Sequence, residues 1–140
     1  MNRRKRTEIL INGTRNISEK IASSIEMKYD INILAEPQEA LVMVKMRETA
    51  KKSLFYLGEV LITETKVQLN QQTGIGLIVG HDMELSYWLA VIDAAYQANI
   101  PEINAWESEL LAEEANIIEE RKRKQARILK TRVNFETMDV

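Results

Sequence analysis

The residues of this chain with the clearest claim to chemistry meet where Gly80, His81 and Asp82 follow an apolar run and precede a helical pattern. Backbone amides at a helix N-terminus attract anions, and an imidazole beside them supplies a donor or a proton-transfer group. His81 and Asp82 are therefore the candidate anion or substrate contacts. Asp82 also has a simpler use, as the residue that caps the following helix with its own carboxylate, and this is the favoured reading. A capping carboxylate would repel an anion. Gly74, Gly76 and Gly80 imitate a phosphate loop in composition, but in dinucleotide sites the glycines follow the strand, whereas two of these precede it.

Other groupings offer less. His81 is the only histidine and cysteine is absent, which excludes thiolate nucleophiles, disulfides, cysteine zinc sites and histidine clusters. No serine has both a base and an orienting acid beside it. Glu59, Glu64, Asp82 and Asp93 are available carboxylates, yet carboxylate catalysis needs two in one pocket. Asp93 stands in the middle of a nearly uncharged helix, where it either pairs with a buried cation or faces out, and the exposed placement is favoured. No catalytic residue, metal or cofactor is expected.

The elements that position these residues follow from periodicity. Residues 1–30 read as helical, with Ile17, Ile21 and Ile25 four apart and Gly13 and Asn16 separating two short helices. Residues 31–80 carry strand signals: Ile31 and Ile33 alternate, Pro37 interrupts, and Val42, Val44 and Met46 alternate again. A third strand runs from Leu54 to Leu69 with a bulge at Gly58. The Asn70–Gly74 cluster is a turn, and Ile75–Val79 is a fourth, buried strand forming an antiparallel hairpin with the third.

Residues 82–130 are helical. Leu85, Trp88, Leu89, Ile92 and Tyr96 form one stripe, while Tyr87, Ala90, Val91, Ala94 and Ala98 leave the other side poor in charge. Such a helix packs on the sheet with one side and on something else, a partner among the candidates, with the other. Pro101 ends it, and Ala105–Lys130 reads as one long helix with Trp106, Leu110, Ile117 and Ile118 facing inward. Beyond Ile118 the stripe fails and Glu119 with Arg123 and Glu120 with Lys124 sit at the spacing of a solvated helix, so this end projects. Residues 131–140 are expected to be an extended tail. The architecture is α+β in a single domain of 140 residues: N-terminal helices, a small antiparallel sheet of about four strands, then two helices.

Size and charge narrow the class. At 45 % hydrophobic residues the chain can build one core without metals or disulfides. A formal net charge of −2 advertises no polyanion partner. Arg3–Arg6 and Arg121–Lys130 could contact phosphates, but no aromatics interleave with them to stack on bases, and nucleic acid is the less favoured partner. The segment after Arg6 is too short and mixed for a secretory signal, and Asp82, Glu84 and Asp93 interrupt the most apolar helix, so a cytoplasmic protein that does not cross a membrane is expected.

Several short motifs together resemble one family. Pro37 followed by Leu41, Val42, Met43 and Val44, then Phe55, Leu57, Gly58 and Glu59 with Thr63, Val67 and Leu69, then Gly80, His81 and Asp82 with Asp93 and Ala94, and finally Thr131, Val133, Asn134, Phe135, Thr137 and Met138 resemble the G subunit of the carbon–phosphorus lyase core complex. The chain departs from that pattern at Glu64, His81, Glu48–Lys52 and Glu136, so no phosphate contact carries over to those positions. The resemblance implies a role in phosphonate breakdown beside H, I and J subunits, in a complex linked to making a ribose 1-phosphonate 5-triphosphate from a nucleoside triphosphate and a phosphonate, with catalysis not assigned to this subunit. Trp88, Val133, Phe135, Thr137 and Met138 are the candidate partner contacts, with a homodimer an option for the isolated chain. The alternative is a small nucleic-acid-binding or regulatory module that uses its basic ends.

Overall fold

The computed structural model describes residues 1–47, 50 and 54–138. Two helices, α1 (Arg3–Asn12) and α2 (Arg15–Lys28), lead into strands β1 (Asn32–Arg47), β2 (Leu54–Leu69) and β3 (Gln72–Val79), followed by α3 (Met83–Gln97) and α4 (Ile103–Met138). The fold is α+β, as the pattern of segments predicts. Asn2 caps α1 by accepting from the Lys5 amide at 2.8 Å, and α1 stops at Gly13. On α2 the spaced isoleucines become a buried face of Ile21, Ala22 and Ile25 around Ser18.

The sheet is antiparallel in the order β1-β2-β3. Among the described residues it has three strands rather than four, because β1 runs continuously through Pro37. Proline lacks the amide that a central strand needs, but β1 is an edge strand, and register shifts between Ile33 and Ala35 and between Ala35 and Gln38 accommodate it. A further shift opposite Gly58, which has φ +146°, confirms the expected bulge there. Asn70 and Gln71, with φ of 48° and 67°, close the β2–β3 hairpin in two residues, and the pairing of Leu69 with Gln72 starts β3 earlier than the turn-like sequence suggests.

Helix α3 is the centre of the core. Its Leu85, Leu89, Val91, Ile92, Ala94 and Ala95 are buried, with β2 and β3 on one side and α1 and α2 on the other. The second side of this apolar helix is thus covered from within the chain. Gly74 and Gly76 lie inside β3 and explain the close approach. A Cβ at Gly74 would overlap the Ala90 carbonyl oxygen, and one at Gly76 the Ser86 carbonyl oxygen. Between them Ser86 Oγ donates to the Gly76 carbonyl at 2.9 Å and pairs with Thr65 Oγ1 at 2.8 Å, so a polar helix residue is buried without an unmet bond.

Helix α4 begins against the body through the buried Trp106 and Leu110, with Ile117 partly buried. Ile118, expected inside, is 44 % exposed, since it lies about 100° around the helix from Ile117. From Glu119 to Arg132 every residue is exposed, and the projecting end is as expected. The predicted extended tail is instead the continuation of α4 to Met138. No proline or glycine stops the helix between Ile103 and Met138, and the Thr131 hydroxyl donates back to the Arg127 carbonyl at 2.9 Å. Among the described residues, no helix is long and apolar enough to cross a membrane.

Candidate functional site

At the β3–α3 turn, Gly80 takes φ +94° and Asp82 caps α3, its carboxylate accepting the Leu85 amide at 3.1 Å. The Thr63 hydroxyl donates to the Gly80 carbonyl at 2.6 Å and accepts from the Asp82 amide at 3.2 Å, which fixes the turn to β2. Arg15, from the first turn of α2, pairs with the other Asp82 oxygen and reaches Glu84 at 3.3 Å. That guanidinium holds the Asp82 carboxyl below the usual carboxylate range, and Arg15 itself is pushed up by the same bond. His81 contacts Glu39 of β1 through Nδ1. The helix N-terminus is therefore filled by the chain's own carboxylate, and the two neighbouring side chains are held by α2 and β1. The arrangement joins five elements: α2, β1, β2, β3 and α3.

Trp88, one turn further along α3, is partly buried against the core, and the Arg15 guanidinium lies 5.2 Å from its ring centroid. Tyr87 beside it is pushed up to about 12, by burial first and by its bond to Glu26 second. Of the candidate contacts at the end of the chain, Val133, Phe135, Thr137 and Met138 lie on the last turns of α4, and their side chains fall outside the described residues. The Glu48–Lys52 departure lies outside them as well, Ala50 excepted.

Asp93 corrects the sequence expectation. It is 4 % exposed, not solvent-facing, and its two oxygens accept from Arg6 at 2.7 Å and from Arg3 at 2.6 Å, with the Ile75 amide donating at 2.9 Å. Arg6 is itself buried and stacks 4.0 Å from the centroid of Tyr96. Burial lowers the Arg6 pKa and Asp93 opposes that loss; burial likewise raises Tyr96. One carboxylate thus connects α1, α3 and β3. Its cations belong to the N-terminal basic cluster, and Lys5 from the same cluster pairs with Glu114 at 3.3 Å. Three of the four basic residues offered to a nucleic acid at that end are used inside the protein. The projecting half of α4 is the basic surface that remains.

The surface that residue chemistry did not reveal is apolar. On β2 and β3 the face toward α3 is closed, with Thr63, Thr65, Val67 and Leu69 fully buried, while Ile75, Leu77 and Val79 point the other way and stay exposed. β3 pairs with β2 only over Ile62–Leu69. Past that point β1 and β2 continue alone as a two-stranded arm, from Leu41 opposite Leu61 to Arg47 opposite Leu54. The arm carries exposed apolar side chains, with Leu41 63 %, Met43 53 %, Met46 55 % and Leu57 59 % exposed, beside the charged Glu59 opposite Met43. A two-stranded ribbon is marginal in water by itself. The alternating residues at 42–46 were legible as a strand, but that they lie on an arm depends on where β3 ends.

Among the described residues, no group of three or more His, Cys, Asp or Glu side chains is placed to hold a metal ion. One groove beside α4, of about 450 Å³, is bounded by Gly13, Thr14, Glu113, Asn116, Glu120 and Arg123.

No curated protein matches the chain. A family model does: the phosphonate metabolism protein PhnG model matches residues 1–139, essentially the whole length. This agrees with the resemblance carried by the short motifs between Pro37 and Met138. The chain belongs to the PhnG family of phosphonate metabolism proteins.

Proposed function

We propose that the chain is a non-catalytic structural subunit of a carbon–phosphorus lyase core complex, assembling in the cytoplasm with H, I and J subunits. In that setting it serves formation of a ribose 1-phosphonate 5-triphosphate from a nucleoside triphosphate and a phosphonate, without contributing the reacting groups. Family membership supplies the pathway. The observation that favours a subunit is the arm, whose Leu41, Met43, Met46 and Leu57 are more than half exposed on a ribbon that, among the described residues, no third strand joins. Another subunit covering the arm would remove this surface from water, at roughly 25 cal/mol for each Å² of apolar area. Trp88 and the α4 residues Val133, Phe135, Thr137 and Met138 are the proposed further contacts. His81 and Asp82 serve to hold the turn.

The test is co-expression with H, I and J subunits from the same genome, followed by size-exclusion chromatography with light scattering. The native chain is expected in a stoichiometric complex. Leu41→Glu with Leu57→Glu, and separately Phe135→Ala with Met138→Ala, should lose co-purification while the isolated variants keep native circular dichroism. A native chain that elutes alone would overturn the subunit reading, and unchanged co-purification of the tail variant would remove the tail from the interface.

A further inference from the structure

The charges along α4 are sorted by position. From Glu107 to Glu120 every charged residue is acidic, and from Arg121 to Arg132 every one is basic. The order suits the helix dipole, but a dipole acts only over the end turns, and this reversal sits in the middle of a 36-residue helix. A stripe of other residues crosses the boundary: Leu111, Ala115, Ile118, Lys122, Gln125 and Leu129 alternate steps of four and three, the spacing of a helix–helix seam. Its apolar members stay open, with Leu111 46 %, Ile118 44 % and Leu129 54 % exposed, although Trp106 and Leu110 of the same helix are buried.

We propose that this seam takes the α4 helix of a second copy of the chain, running antiparallel. Charge selects both the occupant and the direction. A parallel copy would set acid beside acid and base beside base, whereas an antiparallel copy sets the basic half of each helix along the acidic half of the other. With the two-fold axis beside Glu120, Leu111 lies level with Leu129 of the second copy, Glu113 with its Arg127 and Glu119 with its Arg121, each an equal number of residues from the axis. Several acids already have partners within the chain: Glu107 the N-terminal amine, Glu109 Lys20, Glu114 Lys5 and Glu119 Arg123. Glu107, Glu109 and Glu119 nevertheless remain 42, 43 and 64 % exposed and can accept a second cation. The overlap from Ser108 to Arg132 spans about 36 Å of helix, long enough for a stable pair. This inference does not rest on assembly with other subunits, and the chain purified by itself tests it.

Light scattering of the full chain at low salt should give twice the monomer mass. Leu111→Glu and Leu129→Glu, both at exposed positions, should each give monomers of unchanged helicity, and high salt should weaken the dimer about tenfold by screening the charge pairs. Direction is read by cross-linking, because the native chain has no cysteine. Leu111→Cys and Leu129→Cys variants, mixed and oxidised, should link to each other, and neither should link to itself. A monomeric native chain, a dimer that survives Leu129→Glu, or Leu129→Cys linked to itself would each overturn the proposal.

Discussion

Replacing Asp93 by alanine probes the contact that unites the fold. The change leaves the Arg6 guanidinium, whose side chain is 5 % exposed, without its counter-charge. Stranding one partner of a buried ion pair costs about 3–5 kcal/mol. The Ile75 amide, which donates to Asp93 at 2.9 Å, loses its acceptor as well, worth about 1–3 kcal/mol if no water replaces it. Arg3 adds little, because its side chain is 55 % exposed and returns to water. The sum is a ceiling, since α1 can undock and carry Arg6 into solvent, and we expect a loss of about 4 kcal/mol, or a Tm lowered by roughly 10 °C in a chain of this size. Urea unfolding followed by the fluorescence of Trp88 and Trp106 measures it, and hydrogen exchange reads α1 separately. Arg6→Leu with Asp93→Leu should recover more than half of the loss, because an apolar pair strands no charge. A loss below about 1 kcal/mol, the range of an exposed pair, with α1 amides exchanging at native rates would show that Asp93 does not hold α1 to the core.

Gly76→Ala places a methyl group against the Ser86 carbonyl, and should destabilise by about 3 kcal/mol in chemical denaturation as α3 is pushed off β3. Gly80→Ala meets no neighbour but must adopt φ +94°, so its loss, about 1–2 kcal/mol, should come from backbone strain alone. Asp82 has a folded pKa below its unfolded value, chiefly through Arg15, so its contribution is present above the unfolded pKa and is lost as pH falls through the folded one. Asp82→Asn should therefore flatten that part of the acid stability profile measured by urea titration, while Asp82→Ala also loses the cap, about 1 kcal/mol.

What the sequence disclosed was governed by the range of the interaction. The Asp82 cap, the α3 stripe, the bulge at Gly58 and the β2–β3 hairpin depend on neighbours a few residues apart, and periodicity shows them. Asp93 was misplaced because its partners Arg3 and Arg6 stand 90 and 87 residues away, so the helix around it reads as an uncharged surface with one solvated acid. The same distance hid the cover that α1 and α2 place over α3. Pro37 looked like a break because its tolerance depends on β1 being an edge, a property of the sheet and not of the segment. The helical end of α4 was missed for a different reason: apolar periodicity reports packing, and a helix in solvent need not have any. His81 and Asp82 lie at the strand-to-helix turn where periodicity puts them, but their contacts with Glu39 and Arg15 follow only from the packing of β1 and α2.

In the proposed assembly the arm of β1 and β2 is the face another subunit covers. Hydrogen exchange of residues 41–47 and 54–61, compared between the isolated chain and the chain co-purified with H, I and J subunits, tests it most directly. Rapid exchange across the arm is expected in isolation and strong protection in the complex, while Val67 and Leu69, already buried, change little. An arm that exchanges equally fast in both states would contradict it.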